Sequence, residues 1–283
     1  MQVRRFATPK EFQETAGAWL GREPKRNNLT LSILHRALQS GEEGLGWAVE
    51  SEAGIELALF QTPPNQVTLS DGSVEGVRMA ARSLPRDLPG VVGPSAVADT
   101  FSDEWSVVSR RRANLHWEMT FYTVERIEAF RVPGGELRRA SLADLGALLP
   151  LAIAAAKDMN LPPQEQIPDE VEKRVKRSIA GARQFLWIDD GTICAIAGYA
   201  EAFHNGGPRI GIVFTPPEMR GRGYGAAITG SLAQLLLTKG HPWVSLFADK
   251  ANPQSNRIYQ RLGFRPELDY RTWLFHRAEP DHA

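Results

Sequence analysis

The 283-residue chain has a single cysteine, Cys194, so no internal disulfide can form. It sits in the apolar run Ile193 to Ala197, where a buried, inert thiol is the expected role. An excess of one charge is also missing, because 33 Lys plus Arg balance 33 Asp plus Glu. No global field recruits nucleic acid or an anionic membrane, and any basic site must be local. The longest apolar run, Ala147 to Ala156, is broken by Pro150 and is too short to span a bilayer. The opening residues, Met1 to Phe12, lack the apolar core of a secretory signal, so a cytoplasmic location is expected. What remains is of globular composition, 42% hydrophobic and 23% charged, and long enough for two modest cores.

The most informative stretch runs from Ile210 to Ala226. It begins as a β-branched apolar run, as a buried strand does, and Pro216-Pro217 stop it because neither can donate to a ladder. Gly221, Gly223 and Gly225 follow at alternate positions, and Ala226-Ala227-Ile228 open an apolar helix reaching about Lys239. Strand, glycine turn and helix N-terminus together suit an anion, since glycine lets the backbone approach and the free N–H groups favour negative charge. A P-loop is excluded by Ala226-Ala227, where a Lys-Ser or Lys-Thr is needed. The dinucleotide fingerprint is excluded by the two-and-two glycine spacing. Alone, the turn is only moderately specific, with a surface turn or a weak RNA-contacting basic loop as the alternative.

Downstream, Pro242 to Ala248 reads as a second buried strand. Asn252-Pro253 then opens a short helix, with Asn as the cap and Pro at the first helical position, and Gly263 ends it. Spacings of four and three put Asn252, Asn256 and Tyr259 on one face of that helix.

Arg220-x-x-Gly223-x-Gly225 after a strand, followed by strand, Asn and a Tyr-bearing helix ending in Gly263-Phe264, resembles the acyl-CoA-binding elements of the GNAT N-acetyltransferases. The resemblance covers Glu136 to His276 well and the first half in outline. It implies an α/β (α+β) fold, a mixed, largely antiparallel sheet flanked by helices. Thr-Pro-Pro recurs at Thr62 and Thr215 after strands, and Arg-Arg recurs in the opening strands at Arg4-Arg5 and Arg138-Arg139. These echoes suggest two tandem related halves, 1–132 and 133–283, joined near Pro133-Gly134-Gly135. The first half lacks the arginine-led glycine turn and the Asn-Pro helix, so it is expected to be degenerate and to cover or shape the acceptor side. Its His35, His116 and Glu118 are expected to be surface or satisfied core residues.

The resemblance further implies transfer of an acetyl or short acyl group from acetyl-CoA, or another acyl-CoA, to the amine of a small-molecule or amino-acid-like acceptor by direct attack. No metal, nucleic acid or membrane is implied. Val213 and Thr215 would offer backbone groups to the pantetheine arm. The N–H groups of Gly221, Arg222, Gly223, Tyr224, Gly225 and Ala226 would hold the pyrophosphate beside Arg222. Asn252 would bond the pantetheine region, with help from Asn256. Tyr259 would protonate the leaving thiolate, a role that suits a phenol because it is neutral at pH 7 yet donates; packing of its ring is the alternative. No carboxylate lies on the strand Arg209 to Thr215, so Glu201, Asp249, His204 or water must take the amine's proton. Asp158, Glu165 and Asp169 would lie on the acceptor side, although acids before bases from Pro168 to Arg177 also suit a solvated helix. A non-catalytic acyl-CoA sensor and a protein-lysine acetyltransferase are the competing readings.

Overall fold

The computed structural model describes residues 1–202 and 206–277, and within them one order of elements occurs twice. The first half runs β1 (Gln2–Phe6), α1 (Pro9–Leu20), α2 (Asn28–Ser40), β2 (Leu45–Ser51), β3 (Gly54–Gln61), β4 (Val67–Leu69), α3 (Val74–Ser83), β5 (Gly90–Pro94), α4 (Ser95–Ser109) and β6 (Arg111–Val124). The second runs β7 (Glu136–Arg139), α5 (Leu145–Asp158), α6 (Pro168–Ala180), β8 (Gln184–Asp189), β9 (Thr192–Ala200), β10 (Arg209–Phe214), α7 (Tyr224–Thr238), β11 (Val244–Asp249), α8 (Pro253–Arg261) and β12 (Arg265–Arg277). Local chemistry sets many of the boundaries. Thr8 accepts from the N–H of Glu11 and Pro9 starts α1. Asp190 and Gly191, both at positive φ (45° and 72°), make the tight turn between β8 and β9.

All twelve strands form one sheet, in the order β1-β2-β3-β4-β5-β12-β6-β11-β10-β9-β8-β7. The two halves exchange their last strands. β12 pairs antiparallel with β5 of the first half, and β6 pairs antiparallel with β11 of the second. β6 and β12 also pair with each other along their length, from Arg265↔Thr123 to Arg277↔Arg111. Phe121, Trp243 and Tyr270 are buried together at this seam, against Leu29, Val92, Phe247 and Leu268. In the second half α7 and α8 pack on one sheet face, and α5 and α6 cover the other. The connector after β6 lies along the second half: Glu128 N–H donates to the Leu262 carbonyl (3.1 Å) and Trp187 Nε1 to that of Gly134 (3.0 Å). Among the described residues no helix is long and apolar enough to cross a membrane.

Because each half completes the other's sheet, the chain should unfold as one unit. Phe121→Ala removes a fully buried ring from the seam and is expected to cost about 3–5 kcal/mol. Denaturant unfolding should show a single transition moving to lower midpoint by fluorescence and circular dichroism alike. Two separated transitions, with only one shifted, would contradict the exchanged architecture.

Candidate functional site

The site grows from a defect in the sheet. Among the described residues β10 and β11 pair in parallel at only two positions, Arg209↔Ser245 and Ile210↔Leu246. The closed end is pinned by Ser245, whose N–H (2.9 Å) and hydroxyl (3.2 Å) both donate to the Pro208 carbonyl. Beyond Ile210 the two strands part. On its other edge β10 carries a bulge: Ile210 pairs with Tyr199 and Val213 with Ala197, so one extra residue sits at Gly211-Ile212. A bulge bends its strand and re-aims its backbone groups, which leaves Gly211 to Phe214 facing an open slot. The opposite wall, β11, is held by full pairing to β6 from Val244↔Val124 to Asp249↔Met119.

The mouth of the slot is the start of α7. Gly221 and Gly223 adopt φ of 79° and 91°, which side chains rarely tolerate, and α7 has no side-chain cap. Its first intrahelical bond is Ala227 N–H to the Gly223 carbonyl (3.0 Å), so the amides before it point out of the helix end. Arg222 is exposed beside them. Arg220 shapes the turn: its Nε donates to the Thr215 carbonyl (3.1 Å) and its Nη2 meets Asp158 Oδ2 at 2.9 Å. Tyr224 is buried and donates to Asp189 Oδ2 (2.6 Å), a bond that pushes its own pKa up.

The equivalent place in the first half is closed. β4 and β5 also run parallel there, but a Cβ on Gly93 would lie 2.8 Å from that of Leu69, so the strands stay in contact. The start of α3 is capped by Ser73, whose hydroxyl accepts from Gly76 N–H (3.1 Å).

The expected site residues on α8 divide into two kinds. Asn252 caps the helix, accepting from Ser255 N–H at 3.0 Å. Asn256 is wholly engaged within the protein. Its Nδ2 donates to the carbonyls of Asp249 (2.8 Å) and Asn252 (2.7 Å), and its Oδ1 accepts from the Tyr122 hydroxyl (2.9 Å). Tyr122 comes from β6, and nothing in the local sequence marks it. Tyr259 packs edge-on to Phe264 (6.1 Å) and near Tyr122 (6.5 Å), and it keeps some solvent exposure. Burial raises its pKa to about 12, so the phenol stays protonated at neutral pH.

The candidate bases fall apart from one another. Glu201 follows Ala200, the partner of Arg209, and so lies at the closed end of the splay, with Oε2 3.7 Å from His35 Nε2 on α2. Burial lowers the pKa of His35, with Glu201 opposing the shift. Asp249 is tied into its turn, accepting from Ala251 N–H at 2.8 Å. His204 lies outside the described residues. His116 and Trp117 lie ring against tilted ring on β6 (4.5 Å), with Trp117 against the α5 and β10 side chains, while Glu118 pairs with Arg271 at 2.7 Å.

Residues 193–274 match the family model described as FR47-like protein. The whole chain superposes on an acetyltransferase of the GNAT family from Colwellia psychrerythraea with a TM-score of 0.62 and 11% identity, covering 98% of this chain and 100% of that one. A GCN5-related N-acetyltransferase from Sphaerobacter thermophilus gives 0.59 at 15% identity, covering 99% and 97%. A tandem GNAT protein from the clavulanic acid biosynthesis pathway gives 0.55 at 12%, covering 99% and 100%. A sequence comparison with curated proteins returned no match. At these identities the likeness establishes the fold.

Asn256→Ala should remove one of the two donors from the Asp249 and Asn252 carbonyls, which keep backbone N–H bonds, and the acceptor of the Tyr122 hydroxyl, at a cost of about 1–3 kcal/mol. Chemical denaturation checks this, and an unchanged midpoint would show that the α8 junction does not depend on Asn256.

Proposed function

We propose that this chain, whose fold is that of the GNAT acetyltransferases, moves an acetyl or other short acyl group from acyl-CoA to the amine of a small-molecule acceptor by direct attack. The observation that carries the reading is the slot between β10 and β11, with an uncapped, glycine-turned helix end at its mouth. The fit is chemical. Backbone groups of Gly211 to Thr215 left unpaired by β11 suit the amides of a pantetheine arm, and the amides from Gly221 to Ala226 suit a pyrophosphate. Acyl-CoA supplies an activated thioester.

This chain's residues then do the following. A main-chain N–H near Val213, re-aimed by the bulge, donates to the carbonyl oxygen as negative charge develops there. As the C–N bond forms and the C–S bond breaks, Tyr259 gives its proton to the departing sulfur. The ammonium acceptor first loses a proton, to Glu201 beside His35 or to water. β10 carries no carboxylate, and that favours one second reading, a non-catalytic acyl-CoA sensor. The two readings differ in turnover.

Calorimetric titration with acetyl-CoA should give roughly micromolar affinity. Gly223→Asp should abolish it, because it forces a side chain at φ 91° and sets a carboxylate where the phosphates would lie. Tyr259→Phe should retain acetyl-CoA binding and lower kcat by about a hundredfold or more. With a pKa of about 12, Tyr259 gives no loss of activity between pH 7 and 10. Absence of acetyl-CoA binding by the unaltered protein would end this reading, and binding without turnover for any amine would favour the sensor.

A further inference from the structure

Elements far apart in sequence meet on the sheet face opposite α7, where α2 of the first half approaches α6 and the 159–167 segment of the second. Arg209 opens β10 just before the bulge. Its Nη1 donates to Asn28 Oδ1 (3.1 Å) and Ser32 Oγ (2.6 Å) on α2, and its guanidinium lies 5.6 Å over the ring of Phe247. Among the described residues no carboxylate lies within ion-pair distance of it. One turn along α2, Arg36 holds Glu42 (3.3 Å) and Thr62 (3.2 Å), and Glu42 also holds Arg177 of α6 (2.7 Å). Arg174 of α6 meets Glu165 only at 3.5 Å. Thus Arg36, Arg174, Arg177 and Arg209 are set against Glu42, Glu165 and the Glu201 beside His35, which leaves a small excess of positive charge.

Two features make this a recess rather than a surface ion-pair network. The side chains of Arg174 and Glu165 are about two-thirds covered (32% and 39% open) where α6 and the 159–167 segment meet, and burial lowers the pKa of Arg174 and raises that of Glu165. In addition, Arg174 Nη2 is buried with no hydrogen-bond partner, and Arg36 Nε, 3.3 Å from Glu42 Oε2, makes no well-aligned hydrogen bond. A buried guanidinium donor without an acceptor is costly, and an incoming anion relieves that cost. The place is right for chemistry too. The bulge residue Ile212 packs in the same cluster as Leu161 of the 159–167 segment.

Resting on the acyl-transfer reading, we propose that this recess between the halves is the acceptor site, and that Arg36 and Arg174 select amines that also carry a carboxylate. A planar guanidinium matches a carboxylate with two parallel hydrogen bonds, and Glu165 already shows that Arg174 takes one. The first half therefore supplies specificity to a reaction centred in the second.

Matched pairs test this: leucine with isoamylamine, phenylalanine with phenethylamine, and arginine with agmatine, titrated calorimetrically into the full chain with CoA present. In at least one pair the amino acid should bind about tenfold tighter or more than its decarboxylated amine. Arg36→Gln and Arg174→Gln should erase that difference. Glu165→Gln, which frees Arg174, should widen it, an outcome that misfolding cannot mimic. Equal binding within every pair, no binding across the panel, or equally tight binding of inorganic phosphate would overturn the proposal. Thiol release from acetyl-CoA is followed separately. Selective binding without release would refute acyl transfer and leave the carboxylate recess standing.

Discussion

The antiparallel pairing of β6 with β12 is the constraint on which the rest depends. It carries β6 into the second half, where it supports β11 along its whole length while β10 departs on the other side. A strand that loses one partner needs the other, because unpaired backbone groups are costly when buried. The same strand delivers Tyr122 to Asn256, and the Glu118 carbonyl accepts from Lys250 N–H (3.0 Å), so the turn after β11 and the start of α8 are both fixed from the first half. The exchange also brings α2 over Phe121, Phe247 and Arg209, which creates the recess between the halves.

Much of the site was legible because its signals are local. The glycine turn, the Asn252-Pro253 cap and the strand before Pro216 depend on φ preferences and missing N–H groups that a few residues declare by themselves. The GNAT fold followed from their order. The partner of each strand was not legible, since β6 pairs with residues more than a hundred positions away and its alternation is diluted over fourteen residues. β4 has only three residues, too few for a period to show. Of the three residues expected on one face, Asn256 and Tyr259 both meet Tyr122, a tyrosine from β6, whereas Asn252 caps its own helix. Arg220, the first residue of the motif, bonds the strand end and Asp158. A usable signal was passed over at Arg209, a charged residue opening an otherwise apolar strand.

The halves share an order of elements and differ in one physical respect. Where β10 leaves β11, β4 stays against β5 because a Cα hydrogen at Gly93 lets Leu69 close in. Where α7 ends in bare amides, α3 ends under the Ser73 hydroxyl. One half thus keeps its strands together and its helix satisfied, and the other leaves both open. The two halves are joined through the exchanged strands β6 and β12.

Strand exchange also sets an order of events during synthesis. β12 emerges after every other described strand, and its slot lies between β5 and β6 in the middle of the sheet. Until it arrives, the first half presents the bare edge of β5, and an exposed edge is a template for unwanted pairing. A nascent chain that stalls before residue 265 can fold neither half fully and shows that edge to chaperones and proteases. Only a chain translated through β12 acquires a sheet without a gap at its centre.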